Sequence, residues 1–144
     1  MRFVLDPNVL ISALLTRHGP PGELLGRWLA GEFEAVASEA LLGELEGVLM
    51  REKFRTYVEV REARAFVALV GASAVIVVDS AAAAGLAPDP GDDYLVALAT
   101  ATRADALVTG DRALRGVRIE GLVILTPAEA LGKLDAVDQP SADA

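Results

Sequence analysis

The chain contains no cysteine and a single histidine, His18. The first absence removes disulfide frameworks, thiolate metal sites and cysteine nucleophiles. The second leaves no His-rich zinc site and makes any Ser-His-Asp triad depend on one residue. No stretch reaches the roughly 18 uninterrupted apolar residues of a membrane span. The N-terminal run Met1 to Asp6 meets an acid and then Pro7 before a signal-peptide core could form. These absences point to a soluble, cytoplasmic protein with no membrane partner. Positive charge is scarce as well: 13 Lys and Arg stand against 21 Asp and Glu, a formal charge of −8. Broad adhesion to a polyanion takes a basic face, so a nucleic-acid ligand would have to be met by local features. With 53% hydrophobic residues the chain has enough apolar area to offset its conformational entropy, and 144 residues set one domain. The remaining chemistry must run mainly on carboxylates.

The pattern along the chain alternates strands and helices. Arg2 to Leu5 is a short apolar strand, and Asp6-Pro7 opens a helix through Val9, Leu10, Ile11, Ala13 and Leu14. The breaker cluster Arg17 to Gly22 precedes Leu24, Leu25, Trp28 and Leu29, whose helical spacing ends at Gly31. Phe33 to Ala37 reads as a strand, Ser38 as an N-cap, and Leu41, Leu42, Leu45, Val48 and Leu49 as an apolar helical stripe. A further amphipathic helix is expected over Tyr57 to Gly71 and a strand over Ala74 to Val78. Residues 80–91 form a Pro- and Gly-bearing connection to a helix starting at Asp92-Asp93 and apolar all round thereafter. Strands at Ala106 to Thr109 and Leu122 to Leu125 follow, with a last helix from Pro127 to about Leu134. The spacing places a folded domain over residues 1–134 and a disordered tail over 135–144. Strands separated by helices predict right-handed crossovers and a mainly parallel sheet of about five strands covered on both faces, an α/β/α sandwich. Ligands of such sheets bind beyond the carboxyl ends of the strands, where strand order reverses.

Acidic residues fall at those ends. Asp6 follows the first strand, Asp111 follows the fourth, and Asp92 and Asp93 begin the helix leading into the fourth. Each alone has an ordinary structural explanation: an N-cap before proline, a helix-dipole partner, a Gly-Asp turn. Together they are another matter, since carboxylates brought close repel unless a cation holds them. Oxygen-only ligation suits a hard ion such as Mg²⁺ or Mn²⁺. Such ions usually meet phosphate, and they would also offset part of the negative charge where a polyanion must dock.

Four segments in order carry a family resemblance. Asp6-Pro7-Asn8-Val9-Leu10, Ser38-Glu39-Ala40-Leu41-Leu42-Gly43-Glu44-Leu45, Asp93-Tyr94-Leu95-Val96-Ala97 and Leu107-Val108-Thr109-Gly110-Asp111 resemble the motifs of PIN domains. The nearest group is the ribonuclease toxins of bacterial toxin-antitoxin pairs, and the similarity spans roughly residues 2–131. The resemblance implies strand order 3-2-1-4-5 and a metal-dependent ribonuclease. It implies Asp6, Glu44, Asp93 and Asp111 as catalytic metal ligands and Asn8, Asp92 and Thr109 as supporting residues. An RNA substrate, a cognate antitoxin and a homodimer follow from the same likeness. Pro7 departs from the commoner residues of the first motif but touches only its spacer.

Helical periodicity alone leaves Glu44 and Glu46 equivalent, about 100° to either side of the apolar stripe; the family pattern selects Glu44. Arg112 and Arg115, next to Asp111, are candidate RNA phosphate ligands. Arg51, Lys53, Arg55, Arg61 and Arg64 read as solvated helix faces, and His18 and Trp28 as surface and packing residues. A phosphoacceptor receiver domain would need paired acids after the first strand, where Asp6 stands alone. A haloacid-dehalogenase-like phosphatase would need an acid where Asn8 stands. The alternative of another class is a catalytically silent PIN-like module that binds RNA or protein.

Overall fold

The computed structural model describes residues 1–80 and 84–138. Five parallel strands form one sheet in the order β3-β2-β1-β4-β5, the order that the family resemblance implies. The central strand β1 (Arg2–Leu5) pairs on one side with β2 (Glu34–Ala37), Val4 opposite Val36. On its other side it pairs with β4 (Ala106–Val108), Leu5 opposite Val108. Phe3, Val4, Ala106, Leu107 and Val108 are fully buried, as strands covered on both faces must be. The edges are β3 (Val75–Ile76) and β5 (Ile124–Leu125).

Helices α1 (Pro7–Leu15) and α2 (Pro20–Leu29) link β1 to β2, and α3 (Glu39–Leu49) and α4 (Val60–Ser73) link β2 to β3. The chain then returns across the sheet through α5 (Asp93–Ala101), which packs on β1 and β4. After β4 comes one turn, α6 (Arg112–Arg115), and after β5 the final helix α7 (Pro127–Asp138), which lies against α2, β4 and β5. The reversal of direction after β3 makes β1 and β4 flank the switch point. Among the described residues no helix is long and apolar enough to cross a membrane.

Several boundaries differ from the sequence expectation for local reasons. α2 starts at Pro20, inside the breaker cluster, because first-turn residues have no use for the N–H that proline lacks. Gly22 is needed there: a Cβ would sit 2.3 Å from the Arg17 carbonyl oxygen. β3 is two residues long and exposed because β2, its one partner, ends at Ala37 where Ser38 caps α3. The last helix continues past Leu134 to Asp138 and corrects the expected tail over 135–138. Arg27 of α2 binds Asp135 at 2.6 Å and Asp138 at 3.0 Å, so the extra turn is tied to the body. The rest of the expected tail, 139–144, lies outside the described residues.

Leu45 is fully buried at the centre of the α3 stripe. Leu45→Ala should lower unfolding stability by about 2–5 kcal/mol, as leucine truncation in a packed core does. The check is a lower urea midpoint with an unchanged slope.

Candidate functional site

The site grows out of the β1–β4 pairing. The Asp6 amide donates to the Val108 carbonyl at 2.9 Å, so the two strand ends leave the sheet side by side. Asp6 then caps α1: its Oδ1 accepts from the Asn8 amide at 3.0 Å, with Pro7 at the first helical position. Its Oδ2 accepts from the Thr109 hydroxyl at 2.7 Å, and that hydroxyl accepts in turn from the Asp111 amide at 3.0 Å. Asp111 repeats the capping arrangement at α6, its Oδ1 accepting from the Ala113 amide at 2.9 Å. Asp6 and Thr109 are buried, whereas Asn8 and Asp111 are open to solvent.

The third acidic contribution divides between two neighbours. Asp93 is buried, with Oδ1 accepting from the Ala87 amide at 2.7 Å and Oδ2 from the Gly85 amide at 3.1 Å. Both oxygens thus bind the segment before α5, and Asp93 is absent from the charges that bear on Asp92. Asp92 is half-buried and close enough to Asp6, Glu44 and Asp111 to feel all three charges. Its carboxyl is pushed up to about 6, first by burial and then by Asp6, Asp89, Glu44 and Asp111. Burial also raises Asp6 above its ordinary value; the Asn8 amide and Thr109 hydroxyl pull it back, and the Asp111 charge adds to the rise. The structure therefore brings Asp6, Glu44, Asp92 and Asp111 toward one crevice and turns Asp93 toward its own chain.

Glu44 comes from α3, half-buried, while Glu46 is exposed. The Tyr94 hydroxyl donates to Glu44 Oε2. Tyr94 was not singled out by sequence reasoning, because a tyrosine inside an apolar helix reads as core. Its phenol is raised well above the usual range by burial and by the bond to Glu44. No Lys or Arg among the described residues forms an ion pair with Asp6, Glu44, Asp92 or Asp111.

A cavity of about 310 Å³ opens beside Asp111, lined also by Asn8, Ser12, Pro21, Gly110 and Pro127. At and beyond the end of α6, Arg115 and Arg118 line a second hollow of about 460 Å³ with Ile119 and Leu122. Arg112 is exposed and Arg115 half-buried.

The donor set is all oxygen and carries uncompensated negative charge, which fits a hard divalent cation. As the side chains stand, no three His, Cys, Asp or Glu among the described residues are close enough together to hold an ion.

An open parallel sheet with acids at the carboxyl ends of β1 and β4 defines the α/β class that binds ligands at its switch point. Within that class the chain belongs to the PIN domain family, which it matches over residues 2–113 and whose members are generally nucleases. Among solved structures it is similar to VapBC2 from Rickettsia felis, bound to a DNA fragment from the promoter. That likeness has 20% identity and a TM-score of 0.63 and covers 88% of this chain and 98% of the other. PAE2754 from Pyrobaculum aerophilum is similar at 16% identity and a TM-score of 0.64, covering 94% of this chain and 90% of that one. No curated protein matches the chain.

A carboxyl whose folded-state pKa lies above its unfolded value keeps its proton in the folded chain after the unfolded chain has lost it. The folded state then binds more protons between the two values, and stability falls as pH rises through that window. For Asp92 the window runs from 3.8 to about 6. In EDTA the melting temperature should therefore decline as pH rises across it, and Asp92→Asn should flatten the decline. Thermal melts of both proteins over that range provide the check; identical slopes would show that Asp92 does not carry the effect.

Proposed function

We propose that this protein is a metal-dependent endoribonuclease in which Asp6, Glu44, Asp92 and Asp111 hold Mg²⁺ or Mn²⁺. The observation that carries the reading is Asp6 and Asp111 beyond the ends of β1 and β4, with Glu44 of α3 and Asp92 before α5 near enough to interact and no cationic partner among the described residues; Asp92 is raised to about 6 by burial and by its acidic neighbours. When bound, such an ion supplies an activated water and neutralises charge at a scissile phosphate. Asp6 is oriented by the Asn8 amide and the Thr109 hydroxyl, and Asp111 by its bond to the Ala113 amide. Asp93, whose place in the family motif marks it as a ligand, serves in this reading as the anchor of the segment at Gly85 and Ala87. Asp92 takes the ligand position one residue earlier.

RNA is the substrate supported by the family resemblance, and Arg112 and Arg115 would grip its backbone next to Asp111. The toxin role and a cognate antitoxin are supported by the likeness to VapBC2, and a homodimeric assembly in the cytoplasm by the family resemblance alone.

Purified protein should cleave single-stranded RNA with Mg²⁺ or Mn²⁺ and stop in EDTA. Asp92→Asn should reduce cleavage by about 10²-fold or more, in the range of losing a positioned catalytic group. It should also raise the metal-free melting temperature by relieving repulsion. Asp93→Asn should lower stability yet keep the stabilisation by Mn²⁺. Cleavage undiminished in EDTA overturns the metal mechanism; RNA binding without cleavage favours the silent module; and Mn²⁺ stabilisation lost in Asp93→Asn but kept in Asp92→Asn restores Asp93 as the ligand.

Changing both Arg112 and Arg115 to Ala should weaken RNA binding and reduce its salt dependence by about 0.7 in log–log slope for each phosphate no longer neutralised. Binding measured across salt concentrations decides it; an unchanged slope removes both residues from the interface.

A further inference from the structure

We infer that Tyr94 is a positioning residue for the metal site: its hydroxyl holds the Glu44 carboxylate in place and leaves the second carboxylate oxygen free to face an ion. The inference rests on the reading of Asp6, Glu44, Asp92 and Asp111 as ligands.

Glu44 needs such a partner more than the other three acids. Asp6 directly follows β1 and Asp111 comes three residues after the end of β4, and each is fixed by a backbone amide of the helix it caps. Asp92 directly precedes α5, whose first residue Asp93 is bonded to Gly85 and Ala87. Glu44 lies in mid-helix on α3, on a longer side chain with one more rotatable bond. Its hydrogen bond among the described residues is the one from Tyr94. Without that bond the charges of Asp92 and its neighbours would drive the carboxylate toward solvent, since like charges separate when nothing restrains them.

The chemistry of the donor matters. An Arg or Lys could hold Glu44 equally well, but it would cancel the negative charge that a divalent ion requires. A phenol, with an ordinary pKa of about 10, donates a hydrogen bond at neutral pH and leaves the carboxylate charge intact. A carboxylate has lone pairs on both oxygens, so Oε2 can accept from Tyr94 while Oε1 stays available. The bond also joins two helices that carry different acids. Tyr94 is two residues from Asp92 in sequence and 50 residues from Glu44, so the α5 start sets the place of both Asp92 and the Glu44 carboxylate. This is the work of an outer hydrogen-bond partner at a metal site, where removal typically costs about 10–100-fold in metal affinity.

Tyr94→Phe keeps the ring and removes one oxygen, so the core around α5 stays filled. Mn²⁺ affinity of the full chain is measured by calorimetric titration for wild type, Tyr94→Phe, Glu44→Gln and the double variant, with Tyr57→Phe as an exposed-tyrosine control. Tyr94→Phe should weaken Mn²⁺ binding by about 10–100-fold. It should weaken it little further once Glu44 is already Gln, and Tyr57→Phe should bind as wild type does. RNA cleavage by Tyr94→Phe should recover as Mn²⁺ is raised, which a folding lesion would not show. Wild-type Mn²⁺ affinity in Tyr94→Phe overturns the inference, and so does an equal loss in the Glu44→Gln background. Absence of Mn²⁺ binding by the wild type overturns the ligand reading itself and the inference with it.

Discussion

The Thr109 hydroxyl is engaged on both sides, donating to Asp6 and accepting from the Asp111 amide. That short chain of bonds ties the ends of β1 and β4 together beyond their last sheet pairing. A buried carboxylate is costly unless its oxygens find donors, and Asp6 finds one in its own helix and one across the strand gap. With Thr109 fully buried, the arrangement has no solvent to fall back on. The remaining acids are positioned relative to this pair: Asp111 by the turn that follows Thr109, Asp92 by the helix packed on β1 and β4, and Glu44 by α3 through Tyr94.

Such a centre implies tension between stability and chemistry. The burial and the neighbouring charges that together push Asp92 to about 6 make the metal-free fold less stable than it would be with a neutral side chain there. Natural sites commonly hold unfavourable groups of this kind, and the cost is offset by packing elsewhere. Here the offset is the buried strand layer of β1 and β4 and the leucines of α3. A bound cation would reverse the sign of the local electrostatics, so stability and loading are coupled.

Much of the fold was legible because its signals are periodic. Strands buried on both faces, helices with a leucine stripe and capping residues at Asp6 and Ser38 announced the parallel sheet and its order of elements. What escaped lies where tertiary partners override local pattern. β3 stops where β2 runs out, α2 begins on prolines, and α7 gains a turn because Arg27 reaches Asp135 and Asp138. In the site, Asp6 and Asp111 were visible from their places after strands. Asp92 and Asp93 were not separable by sequence physics, since adjacent acids at a helix start look alike until one is seen bonded to Gly85 and Ala87. The choice between Glu44 and Glu46 needed the family pattern, and periodicity had no preference. Tyr94 carried no signal beyond a tyrosine in an apolar helix.

The placement of β1 at the centre of the sheet has a consequence for how the molecule is made on the ribosome. The first strand to emerge has neighbours at residues 34–36 and 106–108, and the Asp6 carboxylate meets its Thr109 donor across 103 residues of sequence. At about 5–20 residues per second, that interval is on the order of 5–20 seconds of synthesis. By the time β4 is made, the segments of β1, α1, α2, β2, α3, α4, β3 and α5 have all been synthesised, while the flank of the central strand that β4 will cover is still unpaired. A translation product that stops before β4 would carry Asp6, Glu44 and Asp92 but neither Thr109 nor Asp111, so the hydrogen bond that holds Asp6 across the strand gap could not form.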